Sequence, residues 1–179
     1  MPHSSRGTGA FREICVTAVE IPYRVLFLCT GNSARSIMAE ALLADLGAGR
    51  FSSFSAGSQP TGVVNPLALE TLDSKGVPCS GPRCKSWDRF CDAAPMDFII
   101  TVCDQAAAEA CPAWPGRPCS AHWGLADPAA VGGTVENQLT AFADAFEILE
   151  RRVSEFATLP IDTLDPATLA QELRRIGTT

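Results

Sequence analysis

The stretch RVLFLCTGNSARSIMAEALL, residues 24–43, is apolar from Val25 to Leu28 and meets a thiol at Cys29. It then crosses Thr30, Gly31, Asn32, Ser33 and Ala34 to reach Arg35, and takes on a helical pattern. A short apolar run without alternation reads as a strand covered on both faces, as inside parallel sheets. A strand that passes through a loop of small residues straight into a helix opens an α/β unit, so this stretch points to the fold class.

Outward from it the same alternation continues. A helix is expected over about 36–46, a β-like segment over 51–55, and a second helix opened by Asn65-Pro66, since proline after asparagine suits a first helical turn. The segment GVPCSGPRCKSWDRFCDAAPMD, 76–97, reads as irregular with one short helix near Trp87. DFIITVC, 97–103, is a second buried strand, and AHWG, 121–124, closes a fourth strand-like segment. Val135, Leu139, Phe142, Phe146, Leu149, Val153 and Phe156 recur at helical spacing and make one apolar stripe. Asp165-Pro166 opens a terminal helix. Strands alternating with helices at this density predict a doubly wound α/β sheet. Residues 24–179 are expected to form a single domain, and residues 1–23, which show no clean period, a flexible N-terminal extension.

Composition sets the outer limits. A chain of 179 residues, 46% hydrophobic, can bury one good core. The net charge of −6 provides no basic stripe for nucleic acid. No apolar run approaches the ~18 residues of a membrane span, and residues 1–23 lack the h-region of a secretory signal, so the expected location is cytoplasmic. In a reducing compartment Cys15, Cys29, Cys79, Cys84, Cys91, Cys103, Cys111 and Cys119 are thiols rather than a disulfide framework. Their intervals include no C-x2-C pair and the only histidines are His3 and His122, so no metal is expected. His122, beside Trp123, reads as a packed strand-end residue.

The loop after the first strand carries the chemistry. Ligands of open parallel sheets bind beyond the carboxyl ends of the strands, where Cys29 lies. Thr30 to Ala34 are small enough for successive backbone N–H groups to turn inward, and the following helix adds the positive end of its dipole, a cradle for a tetrahedral oxyanion. Arg35 has a planar fork for two oxygens of such an anion. Ser36 can offer its hydroxyl to the sulfur, and these donors favour a thiolate nucleophile at Cys29. Asn32, Ser55 and Glu40 are placed to support the loop by hydrogen bonds. The unit is C-x5-R followed by serine.

In CTGNSARSIMAEAL, SAGSQP, KSWD, DFIITVCDQAAAEACP and HWGLADPA, spread over about residues 24–157, the chain resembles the low-molecular-weight protein tyrosine phosphatase superfamily, and most closely its arsenate reductase branch. The resemblance implies a four-stranded parallel sheet with helices on both faces. It makes Asp127 the general acid that protonates the leaving oxygen. It also implies a relay in which Cys29 attacks arsenate, Cys103 attacks the adduct to release arsenite, and Cys111 carries the disulfide outward. The reductant would be thioredoxin, or glutathione with glutaredoxin, with no tightly bound cofactor, and the role would be arsenic detoxification.

Two other readings use the same residues. A phosphomonoester phosphatase would form a phosphocysteine on Cys29, with Asp127 serving as acid and then as base. Phosphatases of this superfamily usually carry a second cysteine in the loop and aromatic residues after the Asp-Pro, whereas this chain has Ala34 and Ala129-Ala130, with Cys103 and Cys111 in addition. A module that holds phosphate without turnover would have no use for Cys29, Arg35 and Asp127 together.

Overall fold

Val25 to Leu28 have no accessible surface and form the centre of β1 (Tyr23–Cys29). In this computed structural model residues 21–79, 81–109 and 112–179 are described. Most of the expected N-terminal extension, and Cys111, lie outside them. The remaining strands are β2 (Phe51–Gly57), β3 (Phe98–Thr101) and β4 (Cys119–His122). All pair in parallel, in the order β2-β1-β3-β4. The helices are α1 (Arg35–Leu46), α2 (Pro66–Ser74), α3 (Asp104–Ala108), α4 (Val135–Ala157) and α5 (Pro166–Ile176).

Alternation along β1 divides the core. Val25, Phe27 and Cys29 face a large cluster to which all five helices contribute. Leu26 and Leu28 face a smaller one, closed by Phe90, Met96 and the partly buried Trp87 and Trp114. Phe90 and Trp87 belong to a single 3-10 turn, Trp87–Phe90, so the two sheet faces are covered unequally. The helix starts use local chemistry: the Asn65 side chain accepts from Leu67 N, and the Asp165 side chain from Ala167 N and Thr168 N.

Three details depart from the sequence reading. Tyr23 already belongs to β1, where it pairs with Phe51 and packs against Phe98. The fourth strand is Cys119–His122, two residues earlier than AHWG, because its partners on β3 are Phe98 to Thr101. The α4 stripe is buried from Phe142 onward, while Val135 at its start is exposed.

Candidate active site

β1 and β3 end side by side, with Leu28 opposite Thr101 and Val102 N donating to Leu28 O. Cys29, the last residue of β1, and Cys103, which caps α3, are therefore delivered to one edge of the sheet, and both are buried.

The loop between Cys29 and Arg35 is shaped by the segment after β2. Ser58 N donates to Cys29 O, Gln59 N to Thr30 O, Thr61 N to Gly31 O and Asn65 N to Ser33 O, at 2.8–3.3 Å. These bonds draw four carbonyls outward. In a trans peptide the N–H points opposite its carbonyl, so the same bonds turn the loop's N–H groups inward. Ala34 precedes α1 without a side-chain cap, and the first turn holds no acidic residue, so the positive end of α1 also faces the loop uncompensated. Asn32 takes a left-handed φ of 45°, which asparagine tolerates better than most residues.

Asn32 N donates to Cys29 Sγ at 3.1 Å, and Ser36 Oγ lies 2.9 Å from the same sulfur. The expected supporting bonds are present. Asn32 Nδ2 donates to Ser36 Oγ and Ser55 Oγ, each at 2.9 Å, and Ser55 Oγ donates to Glu40. Burial pushes the Cys29 thiol above its ordinary value, and the bonds from Ser36, Asn32 N and Ser36 N pull the other way without cancelling it. The sulfur is thus buried and already surrounded by thiolate-stabilising donors.

Arg35 and Asp127, far apart in sequence, meet here. Arg35 Nη2 lies 2.9 Å from Asp127 Oδ2, and Nη1 donates to Leu125 O. Asp127 caps a 3-10 turn, Pro128–Ala130, through Ala129 N. Arg35, Cys103, Gly124, Leu125, Ala126, Asp127 and Ala130 line a cleft of about 490 Å³ whose wall after Asp127 is alanine. Thr30 Oγ1 sits 3.6 Å from Cys103 Sγ. The cleft thus has a guanidinium, a carboxyl group and the Cys103 thiol on its wall, while Cys29 lies buried at the base of the anion loop that leads into Arg35.

His122 is not the packed residue expected. It is exposed at the end of β4, with Nδ1 2.8 Å from Thr101 Oγ1 and Nε2 3.0 Å from Asp104 Oδ1, because β4 is an edge strand and its end faces solvent. Arg152 went unnoticed in the sequence. Buried on α4, it donates through Nη1 to Trp123 O and Gly124 O and through Nε to Thr179 O, tying down the chain that leads to Asp127. Its place on the stripe, three residues after Leu149, was the available signal. Among the described residues no group of three or more His, Cys, Asp or Glu could hold a metal ion, and no helix is long and apolar enough to cross a membrane.

Residues 24–174 match the family described as low molecular weight phosphotyrosine protein phosphatase. An arsenate reductase of Halalkalibacterium halodurans is 34% identical over 133 residues, covering 74% of this chain and 94% of its own. A solved arsenate reductase in its phosphate-binding state superposes with a TM-score of 0.64 at 27% identity, covering 75% of this chain and 96% of the other. A thioredoxin-dependent arsenate reductase of Corynebacterium glutamicum gives a TM-score of 0.51 at 26% identity, over 76% of this chain and 63% of that one.

Proposed function

The chain belongs to the low molecular weight phosphotyrosine protein phosphatase family, and from that premise we propose that it reduces arsenate to arsenite through Cys29, with a thiol relay running through Cys103. The observation that carries the proposal is the delivery of two buried thiols, by neighbouring parallel strands, to the edge that also holds Arg35 and Asp127. Hydrolysis needs only the first of those thiols. Reduction needs both.

Arsenate enters the loop and is held by the inward N–H groups of Thr30 to Ala34, by Ser36 and by Arg35, which exchanges its carboxylate partner for the oxyanion. Cys29 attacks arsenic while Asp127 delivers a proton to the departing oxygen. The net step is Cys29–SH with HAsO4²⁻ giving Cys29–S–AsO3²⁻ and water, so the thiol proton leaves in that water. Cys103 then attacks the Cys29 sulfur. An S–S bond forms, the S–As bond breaks, and arsenic keeps its electron pair, so As(V) becomes As(III) and two thiols become one disulfide. Arsenite departs with the Cys103 proton. Cys111, outside the described residues, would take the disulfide from Cys103 and present it to a thiol reductant. The thioredoxin dependence of the Corynebacterium relative supports thioredoxin in that role, with glutaredoxin as the alternative. A relay of this kind requires a reducing compartment, which suits the cytoplasm.

The test compares two substrates across two variants. Cys29→Ser should abolish both arsenite formation and hydrolysis of an aryl phosphate. Cys103→Ser should abolish arsenite formation alone. Arsenite output unaffected by Cys103→Ser would overturn the relay, and fast aryl phosphate turnover with no arsenite would make the protein a phosphatase.

A further inference from the structure

Behind the anion loop, a chain of polar contacts runs from an ion pair outside the cleft to the Cys29 sulfur. Lys85, in the irregular segment after α2, places Nζ 3.2 and 3.4 Å from the two carboxylate oxygens of Glu40, with the two side chains only 16% and 23% exposed. Glu40, on α1, accepts from Ser55 Oγ on β2. Ser55 accepts from Asn32 Nδ2, and Asn32 Nδ2 also donates to Ser36 Oγ, which touches Cys29. Asn32, Ser55 and Ser36 have no accessible surface.

The direction of each bond follows from its chemistry. Lys85 N donates to Asn32 Oδ1 at 2.6 Å, and a backbone N–H can only donate, so the Asn32 amide is fixed with its oxygen toward Lys85 and its NH2 toward the two serines. Ser55 receives one amide proton and sends its own to the Glu40 carboxylate. Ser36 receives the other, which leaves its hydroxyl hydrogen free for Cys29. The Glu40 carboxylate keeps this polarity while it stays in place as the acceptor of the Ser55 hydroxyl, and Lys85 is the ion-pair partner that holds it there.

We propose that Lys85 is a positioning residue for the nucleophile: its ammonium holds Glu40 as a fixed acceptor, and through Ser55 and Asn32 this keeps Ser36 donating to Cys29. The inference rests on Cys29 being the nucleophile of the proposed function. Loss of the ammonium leaves a half-buried carboxylate without its partner. Glu40 then swings away toward solvent, Ser55 turns, and the donor on Cys29 is no longer held.

The test is the rate of iodoacetamide alkylation at Cys29 against pH, followed by mass spectrometry of the Cys29 peptide, alongside KM and kcat for arsenate. The variants are Lys85→Met, Lys85→Arg and the double Lys85→Met/Glu40→Gln, in which a neutral amide still accepts from Ser55. The other charged and titratable groups around the site stay as they are: Cys103 at the end of β3, Arg35 on α1 with its partner Asp127, Cys84, whose Sγ donates to Gly31 O, and Cys79, whose thiol feels both Glu40 and Lys85. Lys85→Met should slow alkylation at neutral pH about three- to tenfold, move its rise to higher pH, and lower kcat more than it changes KM. Lys85→Arg and the double variant should stay within about twofold of the parent chain. An unchanged profile in Lys85→Met would overturn the proposal, and so would a double variant as slow as Lys85→Met. If Lys85→Met does not fold, the double variant decides: a parental profile supports the role and a shifted one refutes it. Alkylation needs no arsenate chemistry, so a parent chain that makes no arsenite while Lys85→Met still shifts the profile would sink the reductase reading and leave this one standing.

Discussion

Gly57 ends β2 directly against the anion loop, and its replacement by alanine tests whether the loop's shape is set by how closely β2 approaches it. A Cβ built at Gly57 would lie 2.9 Å from Asn32 N and 3.0 Å from Asn32 Cβ, and closer still to Thr30 O. Favourable carbon contacts sit at about 3.5–4.0 Å, so the loop must retreat by roughly 0.5–1 Å. Neither side can yield freely. Gly57 N is bonded to Lys85 O, while Thr30 O and Asn32 N are committed to Gln59 N and Cys29 Sγ. The overpacking should cost about 1–3 kcal/mol of stability. A displacement near 1 Å in the group that holds the nucleophile should slow turnover by roughly 10²-fold. Gly132→Ala, where an added Cβ meets nothing within 4 Å, is the control and should stay within about 0.5 kcal/mol. Urea denaturation gives the stability and single-turnover arsenite formation gives the rate. A Gly57→Ala chain with parental stability and parental rate would refute the argument from close approach.

Other outcomes follow from the same contacts. Arg152→Met removes charged donors from Trp123 O, Gly124 O and Thr179 O, and should cost about 3 kcal/mol, read from the urea midpoint. Phe156→Ala empties a site packed against Phe51, Phe98 and Trp123 at centroid distances of 5.1–5.9 Å, and should cost about 3–5 kcal/mol in the same assay. Because burial raises the Cys29 thiol, its thiolate fraction is small at neutral pH and grows as pH rises. Alkylation at Cys29 should therefore climb about tenfold per pH unit through the neutral range, with no plateau until above the ordinary thiol value of about 8.5, and a plateau below pH 7 would contradict that sign.

Most of the fold was legible because its signals are local. An unbroken apolar run marks β1 and β3, and Asn65-Pro66 and Asp165-Pro166 mark helix starts at the residues that cap them. β4 was harder, since Cys119 and Ser120 sit on an edge strand and carry no apolar pattern; its register comes from pairing with β3. The loop from Cys29 to Ser36 was legible from residue size and spacing, and the roles of Asn32, Ser55 and Glu40 in supporting it hold. The Arg35–Asp127 pair and the Lys85–Glu40 pair were not legible, because each joins segments that only the folded sheet brings together. The burial that pushes the Cys29 thiol up was not legible either, because the donors lie next to it in sequence whereas the burial is supplied by the whole core.

The central claim is that Cys29 and Cys103 share the two-electron oxidation. It is tested most directly by mapping disulfides after one anaerobic turnover of the fully reduced chain with arsenate, in a Cys111→Ser background that stops any onward transfer. The account predicts one equivalent of arsenite, loss of two thiols, and a Cys29–Cys103 disulfide as the linkage. Arsenite formed with Cys103 still a free thiol, or no arsenite with all thiols intact, would contradict it.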